Sequence, residues 1–231
     1  MESAAWVAVA AIAFVGTHFL LSHPLRRPLV AALGEGPFLA VYSLVAAVTL
    51  AALGWSFWAA PVTTPLWPVG NTLWALATIV MLLASVLLMG SVIRNPAMPT
   101  GGAPGPAPEA ARGVFAITRH PMMWAVALWG LCHVAIYPIA KSIVVASAIT
   151  VLALVGSALQ DRKKEQLQPD TWKTWEAKTS YWPFVAITTR RATLGGFGMH
   201  DLAGGLLVWL VATWAHIPLS GWAAGIWRWI T

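Results

Sequence analysis

Six long runs of this chain are almost free of charge, and no other feature constrains its fold as strongly. A helix that crosses a bilayer needs about 20 consecutive apolar residues. The runs at residues 4–22, 38–60, 70–93, 121–140, 142–160 and 202–217 meet or approach that length. Strands alternate with period 2 and are far shorter, so unbroken runs of this kind predict an all-α, polytopic membrane protein with about six transmembrane helices. Composition agrees. Only 10% of the 231 residues are charged and 58% are hydrophobic, whereas soluble domains carry about 25% charge. That apolar surface exceeds what one soluble core buries, so lipid is the expected partner.

The breaks between runs carry signals of their own. His23-Pro24, Pro61 and Arg94 with Pro96 end the first three runs. Pro121 stands at a helix start, where proline's fixed φ and missing N–H cost nothing. The fourth and fifth runs are joined by almost nothing and predict a tight hairpin. After residue 217, Pro218 leaves either a kinked helix or a span followed by an interfacial piece. The first run has an acidic start and no basic leader, which reads as a retained helix rather than a signal peptide.

Net charge is +6, and its placement excludes a nucleic-acid role. Twelve of the 14 Lys and Arg residues fall in the loops at 23–37, 94–120 and 161–201; only Lys141 and Arg228 fall on the other side. The positive-inside rule then makes those loops cytoplasmic and puts both termini outside. The loop at 95–113, rich in Pro and Gly, is expected to be irregular. In the third loop, Trp172, Trp175 and Trp182 are spaced for an amphipathic helix lying on the membrane face, or equally for a solvated connector with anchoring tryptophans. The single cysteine, Cys132, excludes an internal disulfide and a multi-cysteine zinc site.

A charged side chain inside a span costs at least about 2.5 kcal/mol. None lies deep in the six runs, which argues against an ion-coupled transporter or proton pump. Histidines remain: His18 in the first run, His133 in the fourth and His216 in the sixth, with His23 and His120 at helix ends. Neutral imidazole is tolerated in lipid and is an axial ligand of haem iron. Two histidines from different spans could clamp a haem b, its propionates turned to Arg26, Arg27, Arg94 or Arg119. The plainer alternative is a helix–helix hydrogen bond from each histidine. Depth weighs against the pair His18 and His133: about 5 residues from a helix end against about 13 gives roughly 7 Å against 19 Å at 1.5 Å per residue. His120 pairs better with His18 by depth, but beside Arg119 it reads as a polar helix start.

Three stretches together resemble the NnrU family of bacterial membrane proteins. The first is Gly16-Thr-His18-Phe-Leu with Pro24-Leu-Arg26, Leu33-Gly34-Glu35 and Tyr42-Ser43-Leu44-Val45. The second is Thr118-Arg119-His120-Pro121-Met-Met-Trp124-Ala, continuing through Ala127-Leu-Trp129 to His133. The third is Asp161-Arg162-Lys163-Lys164 with Trp172, Lys178-Thr179-Ser180 and Pro183-Phe184. The resemblance implies a protein of the bacterial inner membrane, linked to denitrification and nitric-oxide metabolism. The family is also similar to the plant 15-cis-ζ-carotene isomerase, a haem b enzyme acting on a lipophilic polyene. That similarity puts axial histidines at His18 and His133, with His120 and His23 as alternates and Arg26 and Arg119 beside the cofactor. Where the isomerase has a cysteine three residues before its second histidine, this chain has Gly130. Cys132, about 100° round the helix from His133, cannot replace it on the same iron without unwinding.

The second and third stretches also resemble membrane methyltransferases of the isoprenylcysteine carboxyl and phospholipid type. These enclose S-adenosylmethionine between Arg-His-Pro and an acidic pair. Arg119-His120-Pro121 matches; the acidic pair is replaced by Asp161-Arg162, with Glu165 a turn later. The sequence thus leaves three readings: a haem b protein with a lipophilic small-molecule substrate, a methyltransferase using S-adenosylmethionine, and a structural or assembly protein without cofactor. Oligomeric state is not encoded in any motif.

Overall fold

The computed structural model describes residues 2–98 and 108–231, with side chains from residue 4 onward. Within them it is all-α. The helices are α1 (Glu2–Ser22), α2 (Arg26–Leu33), α3 (Glu35–Ala59), α4 (Asn71–Val92), α5 (Val114–Ile117), α6 (Pro121–Ile136), α7 (Ala140–Leu167), α8 (Pro169–Lys178), α9 (Val185–Thr188), α10 (Met199–Ser220) and α11 (Trp227–Ile230). Five of these are long and apolar enough to cross a membrane: α1, α3, α4, α7 and α10. The fourth apolar run forms α6, which has 16 residues and falls short of the usual span. The chain is a multi-pass membrane protein.

The chain divides into two compact units, Met1–Val69 with Gly130–Leu152, and Gly70–Trp129 with Ala153–Thr231. The first unit is built on α1 and α3. Val7, Ala11, Phe14, Leu53 and Ala60 form its core, and Val144, Val145, Ala148 and Leu152 of α7 pack on it. Arg26 reaches across α2 to Glu35 at 2.8 Å. Gly130 of α6 sits so close to α7 that a Cβ there would lie 2.2 Å from Thr150 Oγ1 and 2.7 Å from the Ala146 carbonyl oxygen. That contact and the three-residue link from Ile136 to Ala140 make the expected hairpin.

Lys141 has a structural task that its sequence position disguises. It lies in the first turn of α7 with 7% exposure. Its Nζ donates to the carbonyls of Phe57 (3.0 Å) and Ala60 (2.6 Å) and stands 4.8 Å over the Phe57 ring. The last carbonyls of a helix have no partner in the helix itself and carry its negative dipole end, so an ammonium there satisfies both deficits.

The second unit pairs α4 with α10. A Cβ on Gly205 would meet Val86 Cα at 2.7 Å, so glycine is what lets these helices touch backbone to backbone. His200 Nε2 donates to the Met89 carbonyl at 3.0 Å. The helix α10 runs through Pro218 to Ser220 and stops at the left-handed Gly221, and the short α11 follows as a separate piece.

The helix α7 carries the fifth apolar run, which ends at residue 160, on to Leu167, because Arg162, Lys163, Lys164 and Glu165 lose hydropathy without losing helix propensity. One expectation needs correcting. The tryptophans of α8 do not face a membrane surface. Trp172 and Trp175 are each 1% exposed and pack with Ala97 and Ala111. Of the loop at 95–113, residues 99–107 lie outside the described residues. Its described ends are held from α7 and α8: Gln160 donates to the Ala97 carbonyl (2.6 Å), Lys164 to that of Pro96 (3.3 Å) and Lys178 to that of Pro108 (3.2 Å).

Candidate functional site

A polar cluster in the second unit gathers at the start of α6. Thr118 is fixed by its hydroxyl to the Tyr181 carbonyl at 2.7 Å, and the Arg119 amide donates to the Ser180 carbonyl at 2.9 Å. The chain then turns into α6: the His120 carbonyl accepts the helix's first bond, from the Trp124 amide, and Pro121 takes the first helical position. This local geometry sends the side chains of Arg119 and His120 together onto Asp161 of α7.

Both carboxylate oxygens of Asp161 are engaged. His120 donates Nε2–H to Oδ1 at 2.6 Å, and Arg119 donates to Oδ2 from Nε at 2.8 Å and from Nη2 at 2.7 Å. Arg119 Nη2 also reaches Glu176 Oε1 of α8 at 3.0 Å. The side chain of His120 is 1% exposed and that of Asp161 8%, while Glu176 at 26% is the most open member. The Trp172 ring stands 6.3 Å and the Tyr181 ring 5.9 Å from His120. Tyr181 is itself tied by its hydroxyl to the Leu154 carbonyl at 2.5 Å. Burial pushes the Glu176 carboxyl above the usual glutamate range, further than the Arg119 guanidinium pulls it down. Charges this deep persist only when paired and hydrogen-bonded, and the four side chains supply one another's partners across α6, α7 and α8.

The structure brings together Arg119, His120 and Asp161, which the sequence motifs single out. It adds Glu176, which they miss, and leaves Glu165 exposed. The one available signal for Glu176 is its place four residues after Trp172, on the same face of α8. His120, read from its neighbour as a polar helix start, is among the most buried large side chains of the described residues.

Of the haem-ligand candidates, His18, His133 and His23 lie in the first unit and the alternate His120 in the second. His18 is part-buried on α1 with its ring edge-on to Phe14 (4.5 Å) and Tyr42 (5.7 Å). Its Nδ1 lies 2.7 Å from the Phe14 carbonyl oxygen. A carbonyl only accepts, so Nδ1 holds the proton and a neutral ring presents Nε2 as a bare lone pair. His133 stands in the last turn of α6, within the same unit. His23 turns Nδ1 to Ser22 Oγ at 2.7 Å, and its buried Nε2 has no partner among the described residues. Arg26 is held by Glu35. Among the described residues no group of three or more His, Cys, Asp or Glu is placed to hold a metal ion.

Fold and residues together define a polytopic α-helical membrane protein with a buried ionic cluster at one helix start and part-buried histidines elsewhere. Residues 6–224 match the family model described as NnrU protein, and the chain belongs to the NnrU family. No curated protein and no solved structure matches it.

Proposed function

We propose that this chain is a haem b-binding protein of the bacterial inner membrane, with His18 and His133 as axial ligands. The observation that carries the reading is the Nδ1–H of His18 committed to the Phe14 carbonyl. A backbone partner of that kind fixes the tautomer and orientation of a ligating imidazole and raises its basicity at Nε2. The donor chemistry fits haem: two imidazoles in one apolar unit, one of them flanked by aromatic ring edges. Arg26 is the cation of that unit nearest His18 in sequence for a propionate. Arg119, engaged by Asp161 and Glu176, has less to offer one.

Bound haem would supply a Lewis-acid or one-electron centre beside lipid-facing apolar surface. The activity we propose is redox-gated cis–trans isomerisation of a lipophilic polyene; a haem that senses nitric oxide or carries an electron is the non-catalytic form of the same reading. His18 would hold its ring by the Phe14 bond, and Phe14 and Tyr42 would fix the ring plane. The test is the visible spectrum of detergent-purified protein. A Soret band with resolved α and β bands on reduction is expected, lost in His18→Ala and His133→Ala and kept in His120→Ala. A colourless preparation that haemin cannot reconstitute overturns the reading and leaves a cofactor-free assembly role.

A second reading has its own observation. Arg119 and His120 converge with two carboxylates, Asp161 and Glu176, as a methyltransferase pocket for S-adenosylmethionine requires. Calorimetric binding of S-adenosylmethionine, abolished by Arg119→Ala, would favour it over haem.

A further inference from the structure

Residues 182–194 form a closed loop that turns large side chains outward. Its hub is Ala186, which is fully buried. The Ala186 amide donates to Ser180 Oγ at 2.9 Å, and its carbonyl accepts from the amides of Arg191 (2.8 Å) and Ala192 (3.0 Å). Phe184 and Arg190, on either side of α9, hold left-handed backbone at φ 67° and 58°. Such angles are uncommon outside glycine, above all for a bulky residue, and persist where the surroundings over-determine them. Trp182, Phe184 and Leu194 are nonetheless 61%, 52% and 58% exposed. Trp182 is braced rather than loose: its ring stands 5.5 Å from that of Trp124 and 5.4 Å from that of Tyr181.

A chain of contacts within the second unit sets the depth of this loop. The bond from His200 to the Met89 carbonyl puts the start of α10 level with the end of α4, and both helices are long and apolar enough to cross a membrane. The helix α5 lies against that junction. A Cβ on Gly90 would fall 2.6 Å from Val114, and one on Gly113 3.0 Å from Asp201 Oδ2. The two ends of α5 then hold the loop: the Gly113 amide donates to the Gly195 carbonyl (2.7 Å), and the Phe184 amide to the Ile117 carbonyl (2.8 Å). Four helical residues rise about 6 Å, so the loop is tethered within a helical turn of the level where two spans end. The neighbour at that level is the headgroup layer of the bilayer, where tryptophan concentrates. Charge selects among headgroups. Residues 179–200 contain Arg190 and Arg191 and no Asp or Glu. Arg191 is committed within the protein, its Nη1 donating to the carbonyls of Glu176 (3.1 Å) and Thr179 (2.7 Å). Arg190 is exposed, and a guanidinium matches the geometry of a phosphate.

We infer that residues 182–194 dock on the membrane surface, with Trp182 and Phe184 in the headgroup layer and Arg190 on the phosphate of an anionic phospholipid. The loop takes over the membrane contact that the tryptophans of α8 do not make. The inference is independent of haem, because it rests on neither His18 nor His133.

The test uses the full chain in nanodiscs, with Cys132→Ser and a nitrobenzoxadiazole fluorophore on Leu194→Cys. The discs contain phosphatidylcholine and phosphatidylglycerol, and one of the two carries a nitroxide just below its headgroup. Both lipids should quench the fluorophore, and aqueous iodide should quench it weakly. Quenching should report about fivefold local enrichment of phosphatidylglycerol, the preference that one surface cation confers. That preference should vanish in Arg190→Gln and persist in Arg190→Lys. Arg190→Gly suits the left-handed backbone and should also lose it, which guards against a folding defect in the glutamine variant. Quenching by iodide but by neither lipid would put the loop in water and overturn the docking. Equal quenching by the two lipids in the parent, or a preference that survives in both Arg190→Gln and Arg190→Gly, overturns the phosphate contact. The Soret band of the same samples reports the haem reading separately.

Discussion

His120 and Asp161 are joined by a 2.6 Å hydrogen bond in which the imidazole is 1% and the carboxylate 8% exposed. The bond ties the first residue before α6 to a point three-quarters of the way along α7. Because Arg119 takes the other oxygen of Asp161, removing this one carboxylate strands two buried groups at once. Breaking a buried pair from one side typically costs about 3–5 kcal/mol. Asp161→Ala is therefore expected to lose stability on that scale, and Asp161→Asn, which keeps the shape but not the charge, somewhat less. Denaturant or thermal unfolding in detergent checks this; a loss below about 1 kcal/mol for Asp161→Ala would show that the cluster contributes little.

Arg119→Lys tests the fork rather than the charge. The guanidinium serves Asp161 through two nitrogens and Glu176 through one of them, a geometry that an ammonium cannot reproduce. The lysine variant should unfold at a lower temperature than the parent, and the effect of Arg119→Lys with Glu176→Gln together should differ from the sum of the two single changes, since the partners are coupled.

The pH dependence of Glu176 has a definite sign. Burial raises its carboxyl in the folded protein above the ordinary value of about 4.3. The folded chain therefore holds that proton to a higher pH than the unfolded chain. The favourable contribution is complete below the unfolded value and is lost as pH rises through the folded one. Glu176→Gln stays neutral throughout and can still accept from Arg119. It should unfold near the parent's temperature at pH 4 and above it at pH 7. A difference independent of pH would remove the linkage.

Lys141→Met keeps most of the apolar stem but strips two charge-assisted bonds from the end of α3. Such bonds are each worth about 1.5–3 kcal/mol, and the loss should appear as faster amide exchange at residues 56–60 in hydrogen-exchange mass spectrometry.

Gly205→Leu must push α10 off α4, because its Cβ would fall 2.7 Å from Val86 Cα. Overpacking of this kind costs roughly 1–3 kcal/mol. Gly54→Leu, where a Cβ meets nothing within 4 Å, should be close to neutral in the same unfolding assay.

The long helices were legible in the sequence because hydropathy and helix length are set by the same lipid thickness. Their ends were less so. Hydropathy reports where lipid stops, while helix propensity decides where the helix stops, and at Asp161 to Leu167 the two diverge. Arg119, His120 and Asp161 stood out as a motif. Glu176 did not, because its role depends on α8 folding back so that Trp172 and Trp175 turn inward, a tertiary event with no local mark. Lys141 looked like a loop charge because its acceptors, the carbonyls of Phe57 and Ala60, lie more than 80 positions away and carry no side-chain signature.

The short α6 bears on how the chain enters its membrane. Sixteen residues rise about 24 Å, less than the roughly 30 Å of hydrocarbon in a bilayer, so α6 is a poor substrate for insertion one helix at a time. The contact of Gly130 with Ala146 and Thr150 gives it a partner that emerges from the ribosome immediately afterwards. Co-translational insertion of α6 should therefore wait for α7, the two partitioning into lipid together as a hairpin. Substituting Gly130 would then reduce the yield of inserted protein as well as loosen the packing of the finished one.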